Sequence, residues 1–190
     1  MKINLPNRLT LMRIALIPVF VILASIENIW CQLAAAIVFA GACITDYLDG
    51  NIARKRNLVT NFGKFADPIA DKMLVMSAYV VLVGQERMFP WMCIVFLARE
   101  FTVSGFRLVA AGAGNVIAAG ILGKIKTFTQ MISCMMLLLL VPFDNNPDHA
   151  LLGSFGMVAA EVMTYVAVVM TVWSGADYLW RSRSLFSEDK

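Results

Sequence analysis

The sequence predicts an all-α polytopic membrane protein with six transmembrane helices, and three observations carry that expectation. Hydrophobic residues make up 59% of the 190 positions and charged ones only 15%, against roughly a quarter charged in a soluble domain, and the mean hydropathy is +0.73. Six apolar runs of about bilayer-spanning length follow one another with polar breaks between them. Basic residues crowd alternate breaks, as the positive-inside rule expects of a chain that crosses repeatedly. The net charge of +3 comes with no basic stripe interleaved with aromatics, so the expected partner is a lipid bilayer and no nucleic acid.

The runs cover residues 9–26, 29–45, 68–84, 88–111, 127–143 and 151–179. Lys2, Arg8 and Arg13 ahead of or within the first run also fit a signal peptide. No small-x-small cleavage site follows, and apolar runs continue, so the first run reads as an uncleaved membrane helix. No repeat or linker divides the chain. Residues 1–190 read as a single domain, with 1–8 as an N-terminal cytoplasmic segment and 184–190 as a C-terminal tail. Lys2, Arg8, Arg54, Lys55, Arg56, Lys64, Lys124, Lys126, Arg181 and Arg183 occupy one set of breaks. The other set holds Arg87 with Glu27, Glu86, Asp144 and Asp148. Six crossings and this bias put both termini and the 46–71 region on the cytoplasmic side.

The 46–71 region is where chemistry concentrates. Asp46 and Asp49 are spaced i, i+3, and Asp67 and Asp71 i, i+4, so each pair shares one helix face. The linker between them is short enough for the second and third helices to meet as a hairpin with those faces opposed. A carboxylate at membrane depth costs about 2.5–3.5 kcal/mol on the lenient insertion scale, and four together repel. Divalent cations compensate: carboxylate-rich oxygen ligation suits Mg²⁺, Mn²⁺ or Ca²⁺ over zinc or copper. Four carboxylates balance two such ions, the clamp used for displacement at phosphorus. Gly50, Ala53 and Gly63 leave room for a ligand to approach the backbone, and Arg54 suits phosphate. Blander readings exist for each part. The first pair can be solvated helix-end acids, and Asp67 an N-cap with Pro68 at the first helical position. Asp-x-x-Asp-Gly alone suggests a calcium loop, but EF-hand spacing is absent.

Asp46-x-x-Asp49-Gly50-x-x-Ala53-Arg54, then eight residues, then Gly63-x-x-x-Asp67-x-x-x-Asp71 resembles the signature of the CDP-alcohol phosphatidyltransferases at every defined position. The start through Asn7, Thr10 and Arg13, the Ala98-Arg99-Glu100 triplet and Gly123-Lys124-Ile125-Lys126-Thr127 are similar to the bacterial branch of that family that makes phosphatidylglycerophosphate. The resemblance implies a six-helix enzyme of the cell inner membrane, usually a homodimer, with its site opening at the cytoplasmic interface. By that resemblance two Mg²⁺ or Mn²⁺ ions are held by Asp46, Asp49, Asp67 and Asp71, and Asp71 is the general base. Asp49, Gly50, Ala53, Arg54, Thr60 and Gly63 line the CDP-diacylglycerol pocket, and Asn7 and Thr10 close it. The implied acceptor is glycerol 3-phosphate, whose dianionic phosphate calls for cations. Arg107 and Lys124 are the first candidates, with Arg99 and Lys126 beside them. Arg99 has a competing reading as the partner of Glu100, and the others as positive-inside anchors.

Two alternatives stay open at this point. One is the same chemistry with inositol phosphate or serine as acceptor. The other is a divalent-cation channel or transporter with the aspartates as its permeation site. Remaining features read structurally. Glu161 inside the sixth run is expected at a packing or dimer contact, and Trp173, Tyr178 and Trp180 as an interfacial belt. Asn115 to Gly123 reads as a loop. Cys31, Cys43, Cys93 and Cys134 are expected as small apolar residues without disulfides.

Overall fold

A computed structural model describes the backbone of residues 5–55, 61–112, 120–144 and 150–183, and side chains over 10–45, 69–70, 72–110, 120–140 and 155–183. Among these residues the chain forms six α-helices and no strand: α1 (Leu5–Ser25), α2 (Ile29–Lys55), α3 (Asn61–Gly84), α4 (Pro90–Gly112), α5 (Ile121–Asp144) and α6 (Ala150–Ser182). Each expected apolar run has become one helix, and the four cysteines are free thiols.

Several ends differ from the expected ones. The longest polar break is mostly helix, because α2 continues to Lys55 and α3 begins at Asn61. Pro68 therefore lies inside α3, and Asp67 is not an N-cap. Likewise α5 starts at Ile121, so Gly123, Lys124 and Lys126 are helical rather than part of a connection. Hydropathy measures the length of chain that tolerates hydrocarbon, whereas a helix propagates as long as its own hydrogen bonds close, through charged residues of good propensity.

Local chemistry explains the ends that are described. Asn28 caps α2, its Oδ1 accepting from the Trp30 amide at 2.9 Å. Pro90 occupies the first position of α4, where a missing N–H costs nothing. The end of α3 closes as a Schellman turn: the Arg87 amide donates to Leu82 O and the Glu86 amide to Val83 O. Glu86 takes the left-handed position of that turn, with φ 59°.

Packing divides unevenly. α5 and α6 form the most extensive contact, α1 lies against both α2 and α3, and α2 and α4 lean on α5 and α6 respectively. The α5–α6 seam is lined by small residues on α6: Gly156, Ala160, Thr164, Ala167, Thr171 and Ser174. They recur every three or four positions and let two backbones approach closely, the usual device of helix pairs in lipid. A Cβ on Gly156 would stand 2.7 Å from Leu140 Cδ2. Interhelical hydrogen bonds pin the seam, with Ser133 Oγ and Thr164 Oγ1 at 2.7 Å and Gln130 Nε2 donating to Thr171 Oγ1 at 3.4 Å, while Tyr79 Oη of α3 donates to Gln130 O of α5 at 3.1 Å. Phe20 against Phe39 and Tyr79 stacked on Phe96 complete the interior.

The outside of the bundle is as apolar as the inside. Phe101 (72% exposed), Leu108 (77%), Ile37, Ile22, Phe128 and Phe155 all face outward. A soluble helix carries polar residues on that face, so an apolar perimeter marks a bundle whose solvent is hydrocarbon. By length and composition two described segments, Ile121–Leu140 and Phe155–Ser182, are long and apolar enough to cross a bilayer.

The seam generates a stability prediction. Ala160→Leu inserts bulk where α5 and α6 touch and should cost about 1–3 kcal/mol, read as a lower midpoint of thermal unfolding in detergent. Ala159→Leu, on the exposed flank, should leave the midpoint unchanged.

Candidate active site

The signature occupies the C-terminal turns of α2 and the N-terminal part of α3. Asp46, Asp49, Gly50, Ala53 and Arg54 lie on α2, and Gly63, Asp67 and Asp71 on α3. Both stretches are continuous helix, so the i, i+3 and i, i+4 spacings do put each aspartate pair on one face of its helix. The side chains of these eight residues, the opposed-face pairing expected of them, and the side chain of Asn7 on α1 lie outside the described residues. Thr60 lies outside them entirely. Thr10 is described and buried. Arg13, one turn further along α1, is 3% exposed.

Immediately after Asp71, Lys72 begins a layer of polar side chains that ties four helices together. Lys72 Nζ bonds Ser104 Oγ, joining α3 to α4. Glu100 on α4 accepts from two cations through Oε1: Arg99 Nη1 at 3.2 Å and Lys126 Nζ of α5. Arg99 Nη2 reaches α6, donating to Ser174 Oγ at 3.2 Å. Ser174 in turn donates to Thr171 O at 3.2 Å, so its own lone pairs remain for the guanidinium. The stem of Arg99 crosses α6 at Gly175, where a Cβ would stand 3.2 Å from Arg99 Cγ.

The expected acceptor cations take different places in this layer. Lys126 is 2% exposed and joined to Glu100, whereas Lys124 is exposed. Two residues along a helix turn about 200°, so the pair cannot share a face. Arg99 does pair with Glu100, as one reading of it had it, yet its buried Nε has no hydrogen bond among the described residues. Arg107, two turns along α4, holds its guanidinium 5.6 Å from the centre of the Tyr178 ring, a cation–π distance.

Tyr178 corrects an expectation. Trp173 and Trp180 are exposed, as an interfacial belt requires, but Tyr178 is only 9% exposed and its buried hydroxyl has no partner among the described residues. A phenol inside a bundle normally finds one. Its place opposite α4 turns it inward, away from the belt. Ser174 and Tyr178 were not singled out as site residues from sequence. The available signal was the Thr171, Ser174, Tyr178 spacing, a polar stripe along an otherwise apolar helix face.

Among the described side chains of this layer, Arg99 and Lys126 share the carboxylate of Glu100, and Arg107 lies at the Tyr178 ring, so three cations gather about one described carboxylate. Arg99 Nε and the Tyr178 hydroxyl also have donor capacity unused. That arrangement suits an anion with several oxygens.

Residues 3–173 match the family model for CDP-alcohol phosphatidyltransferase. The chain belongs to that family. Relatives match it almost end to end. A Bacillus subtilis (strain 168) protein is 48% identical, covering 92% of this chain and 93% of its own length. A Rickettsia typhi protein is 38% identical over 96% of this chain and 99% of its own. One from Yersinia enterocolitica is 37% identical over 94% of each. All three bear the name CDP-diacylglycerol–glycerol-3-phosphate 3-phosphatidyltransferase. Two features adjoin in this member of the family: an acidic signature and, one residue beyond it, a cationic layer.

The layer predicts a coupling. Glu100→Gln leaves Arg99 and Lys126 facing each other across a neutral amide and should cost about 3 kcal/mol, measured by unfolding in detergent. Adding Lys126→Met removes the stranded charge, so the double variant should be more stable than the sum of the two single losses predicts.

Proposed function

We propose that this chain is a membrane-embedded enzyme that transfers the phosphatidyl group of CDP-diacylglycerol to glycerol 3-phosphate, giving phosphatidylglycerophosphate and CMP in phospholipid synthesis. The observation that carries the reading is the cationic layer beginning at Lys72, beside Asp71 of the signature. The shared name of relatives covering over nine-tenths of the chain supports the same reaction. In this reading all six helices cross the bacterial inner membrane and both termini are cytoplasmic. The basic ends of the helices support that orientation. The working unit is a homodimer, as the family resemblance implies.

The donor set fits a divalent ion. Asp46, Asp49, Asp67 and Asp71 are carboxylates on two continuous helices at spacings that keep each pair on one face, and carboxylate oxygens suit Mg²⁺ or Mn²⁺. These four would hold two ions, which supply positive charge to the diphosphate and to the departing CMP. Asp49, Gly50, Ala53, Arg54, Thr60 and Gly63 form the walls for the CDP moiety, with Asn7 and Thr10 of α1 closing over it. The diacylglycerol tails stay in the bilayer.

Arg99, Arg107 and Lys126 draw the phosphate of glycerol 3-phosphate into the polar layer, with Lys124 at its exposed edge. Tyr178 offers the phosphate a hydroxyl hydrogen. The acceptor is thereby held by one end, and its hydroxyl turns toward the signature. Asp71 takes the proton of that hydroxyl. The oxygen attacks the β-phosphorus in line, the new P–O bond forms, and the bond to CMP breaks.

Purified protein with CDP-diacylglycerol and Mg²⁺ should release CMP with glycerol 3-phosphate. Faster release with serine or inositol phosphate would remove the acceptor assignment. Asp71→Asn should lower turnover by about 10²–10⁴-fold, the usual share of a general base, while CDP-diacylglycerol binding persists. Turnover within a few-fold of wild type would remove the base role. Tyr178→Phe, which deletes one oxygen, should raise KM for glycerol 3-phosphate about tenfold and leave KM for CDP-diacylglycerol unchanged.

A further inference from the structure

Arg99 is the cation of the polar layer whose direction is most closely defined. Its side chain is 13% exposed and lies against glycines of two other helices. A Cβ on Gly175 of α6 would stand 3.2 Å from Arg99 Cγ, and a Cβ on Gly123 of α5 would stand 3.7 Å from Arg99 Nη2. The guanidinium is held at both terminal nitrogens. Nη1 donates to Glu100 Oε1 and Nη2 to Ser174 Oγ, each at 3.2 Å. A guanidinium is planar and rigid, so two anchored corners fix where the third donor, Nε, points. That Nε is buried and has no hydrogen bond among the described residues. A buried charged donor without a partner is costly, and an arriving phosphate oxygen relieves that cost.

Ser174 decides which way the fork turns. It is buried, and its own hydrogen goes to Thr171 O at 3.2 Å, so toward Arg99 its oxygen can only accept. Arg99 and Glu100 are adjacent on α4 and meet through Nη1 and Oε1. Without the serine, the Nη2 corner loses its anchor. The guanidinium can then turn further N–H groups onto the Glu100 carboxylate, in the bidentate pairing that arginine favours. Donors turned to Glu100 are lost to any phosphate.

We propose that Ser174 is a positioning residue for the acceptor: it holds Nη2 of Arg99 so that Nε is kept off Glu100 and presented to the phosphate of glycerol 3-phosphate. Ser174 acts through Arg99 and does not touch the substrate. The inference rests on the acceptor reading above, in which Arg99 meets that phosphate, and not on the metals or the base. A serine that only tied α6 to α4 would affect stability, or both substrates alike, and would leave no signature specific to the acceptor.

The test is CMP release by the full chain in detergent with CDP-diacylglycerol and Mg²⁺, titrated with glycerol 3-phosphate. Ser174→Ala should raise the KM for glycerol 3-phosphate about tenfold, with kcat and the KM for CDP-diacylglycerol unchanged. Ser174→Thr, which keeps the hydroxyl, should return that KM toward the wild-type value. Arg99→Lys, whose side chain ends one atom short of Nη2, should raise the same KM at least as much as Ser174→Ala. In the Arg99→Lys background Ser174→Ala should add nothing, because the bond it removes is already gone. An Arg99→Lys KM like that of wild type, or no CMP release with glycerol 3-phosphate by the unaltered protein, would remove the acceptor role of Arg99 and the proposal with it. With Arg99→Lys impaired, four results would overturn the positioning role alone. They are a near-normal KM in Ser174→Ala, an equal rise in the KM for CDP-diacylglycerol, a Ser174→Thr protein as impaired as Ser174→Ala, and additive losses in the double variant.

Discussion

Charge placed inside an apolar bundle has to be met by charge or by hydrogen bonds from a neighbouring helix, and Glu100 is where this chain meets that requirement most directly. Its one oxygen takes both Arg99 and Lys126, so α4 and α5 are joined across the interior. Arg99 extends the link to Ser174 on α6, and Lys72 to Ser104 brings in α3. Four helices that pack mainly through apolar side chains are thereby fixed in height relative to one another at one level. Dispersion contacts tolerate sliding by a fraction of a turn, whereas an ion pair that is almost wholly buried does not, because a displaced partner leaves a charge without solvent.

The small-residue seam has a complementary role. In hydrocarbon no water is released when α5 meets α6, so their association depends on close packing and interhelical hydrogen bonds. Gly156, Ala160, Thr164 and Ala167 supply closeness, and the Ser133–Thr164 bond supplies direction. The same stripe continues through Thr171 and Ser174 to Tyr178, where it changes from packing to polar service. A single periodicity on α6 thus builds the seam and delivers a serine and a phenol to the two arginines of α4.

Much of this was legible in the residues, and what was not has a physical cause. Apolar runs announced six helices, because burial in hydrocarbon is nearly a property of single residues. The ends were misread at Lys55, Asn61 and Ile121, because a helix continues through charged residues of good propensity that end an apolar run. That error hid the difference between Lys124 and Lys126: in a loop both can reach one phosphate, but on a helix they point nearly opposite ways. Tyr178 was misread for a different reason. Its type and position near a helix end fit a belt, and only the neighbouring α4 turns it inward toward Arg107. The aspartate spacings, by contrast, needed nothing but helix continuity, which both segments have.

The arrangement also bears on why a reaction between a lipid and a soluble phosphate can run at one end of such a bundle. The lipid substrate arrives laterally with its diphosphate at the interface, while the acceptor arrives from water as a small dianion. A cluster of acids alone would repel both. Cations bound by the signature would reverse its sign for the diphosphate, but the acceptor still needs its own attraction, offset from the first. Lys72 follows Asp71 directly, and through Ser104 the α3 backbone is tied to the helix that bears Arg99 and Arg107. The cations that follow the signature therefore belong to one level of α3, α4, α5 and α6. In the proposed reaction, Asp71 and Lys72 are consecutive on a continuous α3, so helix geometry and not a loop relates the base to the cations, as holding two reactants for in-line attack demands.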